Sequence, residues 1–262
     1  MSETDAVISA LRAEHDALVD VAAGLTDDDL ALRSGAADWD VSQVLGHLGS
    51  AAELNLGTLE AALGNDRDRE APEAVWARWN AWSRRQRVDR YVVADEALVA
   101  RYEALTAAER DELHIDLGFM PAPVAVATAG RMRLSEATLH SWDVRVAFDQ
   151  AAVLDGPAVA ALLHGEPDLI GWTAKPEALG GRTADVRVTT TDPGSTFTLR
   201  LADHVAVIHD GGSAGVDGTL GVPAESWLRL IAGRLATAHT PAAVRTTGAA
   251  DLEQLRRVFP GY

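Results

Sequence analysis

The stretch Arg131-Met-Arg-Leu-Ser-Glu-Ala-Thr-Leu-His-Ser-Trp-Asp-Val-Arg-Val-Ala-Phe148 sets the reading of the whole chain. Glu136 and His140 stand four residues apart, and on a helix such positions lie one above the other on the same face. Met132, Val144 and Ala147 share that face, so it turns toward a core. A carboxylate in a core is costly unless it is paired or bound to a metal. A Glu beside a His meets that demand by sharing a divalent cation. The third ligand expected is His47, in Trp39-Asp-Val-Ser-Gln-Val-Leu-Gly-His47-Leu, which sits among the helically spaced Val44, Leu48, Ala51 and Leu54. His, Glu and His from two helices leave coordination positions open, as catalytic zinc sites do. The same pattern also fits a coincidental Glu–His pair and a core histidine whose ring nitrogens meet backbone carbonyls. Spacing alone leaves these readings open.

Working outward, the N-terminal part reads as four long helices. Ile8, Leu11, Leu18, Ala22 and Leu25 mark the first, from about Thr4 to Leu25, with His15 on the same stripe as a packed core residue or a substrate contact. Asp40 caps the second, with Gln43 completing a capping box, and Gly64 ends it. The third covers 72–105 with a break near Val88-Asp89, and Trp76, Trp79 and Trp82 suit a packed face. Arg84, Arg85, Arg87 and Arg90 form either a solvated face or a carboxylate-binding lip. Residues 113–123, with Gly118, Pro121 and Pro123, read as a loop before the fourth helix at 124–148. Four long helices in such a length make a bundle, where metal sites are built from facing helices.

The pattern changes after Gln150. A helix over 157–169 precedes strands at 184–190, 196–201, 205–209 and 215–220. A helix over 223–235, a short strand at 244–247 and a last helix at 250–259 follow. This gives two domains, a bundle over 1–150 and a small α+β domain with a mainly antiparallel sheet over 151–262.

Composition bounds the function. The chain has 262 residues, of which 47% are hydrophobic, and a net charge of −16. So acidic a chain makes nucleic acid and anionic membranes poor partners. No apolar run reaches membrane-span length and the start MSETDAV lacks a signal-peptide pattern, so a cytoplasmic protein is expected, as monomer or homodimer. There is no cysteine, so any thiol chemistry needs a thiol from outside.

The residues also carry a family resemblance. Asp38-Trp39…His47-Leu48, the Arg133-Leu-x-Glu-x-x-x-His-x-Trp-Asp143 stretch and the ending Leu255-Arg-Arg-Val-Phe-Pro-Gly261 resemble the mycothiol-dependent maleylpyruvate isomerase family. The likeness runs over nearly the whole length. It implies a DinB-like four-helix bundle whose divalent metal, usually zinc, is held by His47, Glu136 and His140. It also implies a C-terminal domain similar to sterol-carrier folds, with an arginine serving the site. Arg229 and Arg234, both placed on the 223–235 helix, are the candidates, and Arg234 is chosen as the catalytic one. Where the family commonly reads Pro-Gly-Trp, this chain has Ala37-Asp38-Trp39.

The chemistry implied is a metal-dependent enzyme that activates mycothiol for cis–trans isomerisation or S-transfer on a small, electrophilic, anionic substrate. Water in place of the thiol would make the same ligand set a hydrolase. A non-catalytic protein that sequesters a small ligand is the reading from another class.

Overall fold

Four helices of this protein begin in the same way. Ser2, Asp40, Ser83 and Thr106 each accept the backbone N–H of the residue three further on. The side chains of Asp5, Gln43, Gln86 and Glu109 return the bond to the cap's own N–H. Each such cap contributes about 1 kcal/mol. The computed structural model describes residues 2–65, 69–163, 170–209 and 215–261, in two compact units, Met1–Ala152 and Val153–Tyr262.

The first unit holds α1 (Glu3–Ala23), α2 (Val41–Ala62), α3 (Pro72–Ala81), α4 (Arg84–Glu103) and α5 (Ala107–Glu112). A two-stranded pair, β1 (His114–Ile115) with β2 (Val124–Ala125), precedes α6 (Val126–Arg145). The four long helices α1, α4, α2 and α6 pack side by side in that cyclic order. Leu18, Val44, Leu45, Leu48, Val88, Tyr91 and Val144 fill the interior.

One polar network crosses this interior. Arg133 of α6 donates through Nη2 to Asp95 Oδ1 of α4 at 2.6 Å and to the main-chain oxygen of Leu48 in α2 at 3.1 Å. His15 of α1 approaches the other Asp95 oxygen at 2.7 Å. All four long helices therefore meet at one buried charge pair.

Three expectations need correction here. The break in the third helical stretch falls at Trp82-Ser83, not near Val88-Asp89, because Ser83 and Gln86 build a new capping box. The tryptophans do not share one packed face. Trp79 is buried and donates to Glu53 Oε2 at 2.9 Å, while Trp76 is 47% exposed and Trp82 lies past the end of α3. Steps of three residues drift around a 3.6-residue helix. Residues 113–123 are not all loop, since His114 and Ile115 pair with Ala125 and Val124.

The second unit holds α7 (Gly156–Leu162), α8 (Ile170–Thr173), β3 (Ala184–Thr191), β4 (Ser195–Leu201), β5 (Ala206–Ile208) and β6 (Gly218–Pro223). α9 (Ala224–Ile231), β7 (Arg245–Gly248) and α10 (Leu252–Val258) complete it. The sheet order is β5-β4-β3-β6-β7, with β3 and β6 parallel and the other neighbours antiparallel. Val186, Val188 and Thr190 point inward while Arg187 and Thr189 face out, the two-residue period of a half-buried strand. The helix expected over 157–169 is seen as α7, and residues 164–169 lie outside the described residues. α9 ends at Ile231, because Gly233 takes a φ of 73°, a left-handed conformation that a residue without Cβ adopts freely. Arg234 therefore follows the helix and is not on it.

Candidate functional site

α6 presents Glu136 and His140 on consecutive turns, and α2 brings His47 to them. His47 Nε2 lies 3.1 Å from Glu136 Oε2, and His140 Nε2 lies 3.7 Å from the same oxygen. One donor atom from each of the three lies within 4.8 Å of the others. Zinc–ligand bonds of about 2.0–2.1 Å at tetrahedral angles place donors roughly 3.3 Å apart, so two of the spacings match a shared cation closely. Two imidazoles and a carboxylate are also the donor types that zinc accepts. The three residues that the sequence singled out as ligands thus share one cluster with a chemistry that fits a divalent ion.

The surroundings explain its electrostatics. Burial alone would raise the Glu136 carboxyl. The hydrogen bond from His47 and the nearby charges of His140, His47 and Arg133 outweigh burial and hold it at about 2. Glu136 is therefore favoured as a carboxylate, the form a ligand takes. A carboxylate only accepts, so His47 donates from Nε2 to Glu136, and His140 donates from Nδ1 to Asp143 Oδ2 at 2.8 Å. The Trp39 ring stands against both imidazoles, with centroids 5.0 Å from His47 and 5.9 Å from His140. The side chains of His47 and Glu136 remain about one-third exposed, at 32% and 34%, which keeps the cluster open to small molecules.

Other residues named from the sequence have different places. His15 belongs to the Asp95 network, as a packed core residue. The arginines of α4 do not form a shared lip. Arg84 pairs with Asp40, Arg85 with Asp27, Arg87 reaches the carbonyls of Trp79 and Asn80, and Arg90 lies over the Trp82 ring. Arg229 is buried, with Nε and Nη2 on Glu225 at 2.7 and 2.8 Å and Nη1 on the His239 carbonyl at 3.0 Å. Arg234 belongs to the second unit and donates from Nη1 to the Ala232 carbonyl at 3.0 Å. Sequence reasoning missed Asp143 and Arg133 as partners of this region, although both stand in the quoted motif. Their spacing of three, four and three residues with Glu136 and His140 was the available signal.

Among solved structures, the mycothiol-dependent maleylpyruvate isomerase is similar in fold. Its crystal structure aligns with a TM-score of 0.63 at 12% identity, covering 99% of this chain and 97% of that one. A crystal structure of a histidine-to-alanine mutant of it aligns equally well. A comparison with curated proteins gives no match. The profile described as the mycothiol maleylpyruvate isomerase N-terminal domain matches residues 11–145, more than half of the chain and the whole stretch that carries His47, Glu136 and His140. On that match, the chain belongs to the mycothiol maleylpyruvate isomerase N-terminal domain family.

Proposed function

We propose that this protein is a mycothiol-dependent isomerase of the maleylpyruvate isomerase type, using a divalent metal, zinc by preference, held by His47, Glu136 and His140. The observation that carries the reading is the cluster of three donor atoms within 4.8 Å, built from two helices and still open to solvent. A bound cation would supply positive charge that deprotonates a coordinating thiol at neutral pH. The chain has no cysteine of its own, so the thiol comes from outside, and the family match points to mycothiol. Glu136 and the two imidazoles give the cation a single negative charge, which leaves it net positive. The indole of Trp39 keeps water off one side of both imidazoles. The thiolate adds to one carbon of an activated double bond and the π electron pair moves onto the activating carbonyl as an enolate; the former double bond, now single, rotates, and the returning pair expels the thiolate to give the isomerised alkene. The same thiolate could instead displace a leaving group, which is S-transfer.

An anionic substrate in so acidic a chain needs a local cation. Arg234, the arginine chosen from the family resemblance, is the one assigned to the substrate. The test is turnover of maleylpyruvate by zinc-loaded protein with mycothiol, with glutathione and with neither. Turnover that requires mycothiol is expected. Equal turnover without thiol, with water incorporated into cleaved products, moves the protein to the hydrolases. Ligand binding without turnover in any arm makes it a sequestering protein.

A further inference from the structure

Asp143 has no role in the ligand set, yet its side chain is fully buried on the same helix. A buried carboxylate is costly and persists where it holds something in place. Its Oδ2 accepts the Nδ1–H of His140 at 2.8 Å. That bond assigns the proton to Nδ1 and leaves the Nε2 lone pair directed into the cluster with His47 and Glu136. His47 has no second carboxylate partner among the described residues, so the two imidazoles are held unequally. The segment before α2 locks Asp143 in turn. The Gly35 N–H donates to the main-chain oxygen of Asp143 at 2.7 Å. A Cβ at position 35 would stand 2.8 Å from Asp143 Oδ1 and 2.8 Å from Val146 Cγ1, closer than any side chain is tolerated. The same segment is closed by Ser34, whose Oγ donates to the Trp39 carbonyl at 2.9 Å, and it ends in the indole that flanks both imidazoles.

We infer that Asp143 is a positioning residue that fixes His140 as an Nε2 ligand, and that Gly35 is the backbone contact that keeps Asp143 there. This inference rests on the ligand set proposed above. Carboxylates behind metal-bound histidines typically change affinity by about 10–100-fold. The experiment is zinc affinity, measured against a competing chelator, for the wild type, Asp143→Asn and Gly35→Ala, with nitrogen NMR of the histidine rings in the zinc-free wild type. Asp143→Asn keeps the shape and removes the charge, and it should weaken zinc by about 10–100-fold. Gly35→Ala changes no polar group and should also weaken zinc, through displacement of Asp143. The NMR should report His140 protonated on Nδ1, a readout that stands even where a variant fails to fold. Lower thermal stability with unchanged zinc affinity, or a His140 protonated on Nε2, overturns the inference while leaving the ligand set standing. No zinc uptake by the wild type overturns both.

Discussion

Replacing Arg133 with Met should cost the fold more than any exposed ion-pair change, and the structure sets the size. The Arg133 and Asp95 side chains are 1% and 5% exposed. Removing one partner of a buried pair leaves the other charge uncompensated, at a cost of about 3–5 kcal/mol. His15 stays on Asp95 in the variant, so the low end, about 3 kcal/mol, is expected. For a domain of this size each kcal/mol moves the melting point by about 2–4 °C, which gives a drop of roughly 6–12 °C. The assay is thermal and urea unfolding followed by circular dichroism at neutral pH. Arg200→Met serves as the control, since its pair with Asp185 is exposed and its loss should leave the melting point nearly unchanged. The pH dependence adds a second check. Burial pushes the Asp95 carboxyl up, but the Arg133 charge and the His15 hydrogen bond outweigh it and hold the group below its ordinary value of 3.8. A depressed folded pKa stabilises above the ordinary value, and the gain is lost as pH falls through the folded value. The gap between wild type and Arg133→Met should therefore be full near neutrality and narrow as pH falls toward and below 3.8. A loss below about 1 kcal/mol at neutral pH would refute the account of a charged, sealed pair.

Elemental analysis of unchelated protein should find about one divalent ion per chain, and His140→Ala or Glu136→Gln should lower it strongly. Full occupancy in a His47, Glu136 and His140 triple alanine variant would remove the assignment. Zinc uptake should fall in acid, because ligating imidazoles must be neutral, and titration against a chelator at several pH values reads this directly. Arg234→Ala should raise KM for an anionic substrate while the metal content stays unchanged. A variant with unaltered kinetics would return the choice to the other arginines.

The sequence revealed the parts of this fold that local rules control. The capping box of Asp40 and Gln43 was visible because its signal lies within four residues. The strands β3 and β4 were visible through their alternation. The Glu136–His140 pair was visible because helix geometry alone puts both on one face. What escaped has equally definite causes. The Ser83 cap carries the same signal as Asp40, but a continuous helical pattern on both sides hid the break. β1 and β2 have two residues each, too few for any period to show. The Asp95 partnership with His15 and Arg133 joins residues 80 and 38 positions apart, a distance over which no local rule operates.

α6 shows why the polar residues of this chain were harder to read than its apolar ones. Arg133, Glu136, His140 and Asp143 follow one another by three, four and three residues, the spacing that a packed helix usually fills with aliphatic side chains. Each has a polar partner, outside α6 for Arg133 and Glu136 and within it for the His140–Asp143 pair. Asp95 and the Leu48 carbonyl serve Arg133, His47 serves Glu136, and Asp143 is held by His140 and by the Gly35 backbone. Two pairs on the stripe differ in access as well as in chemistry. The Arg133–Asp95 pair is sealed, so its charges can only hold the four helices to one another. The Glu136–His47 pair is one-third exposed, and its hydrogen bond can be exchanged for another occupant without opening the core. The sealed pair cannot change partners, whereas the accessible pair belongs to the ligand set proposed above. Burial separates these two pairs along a single helix face, and a run of residue letters does not contain it.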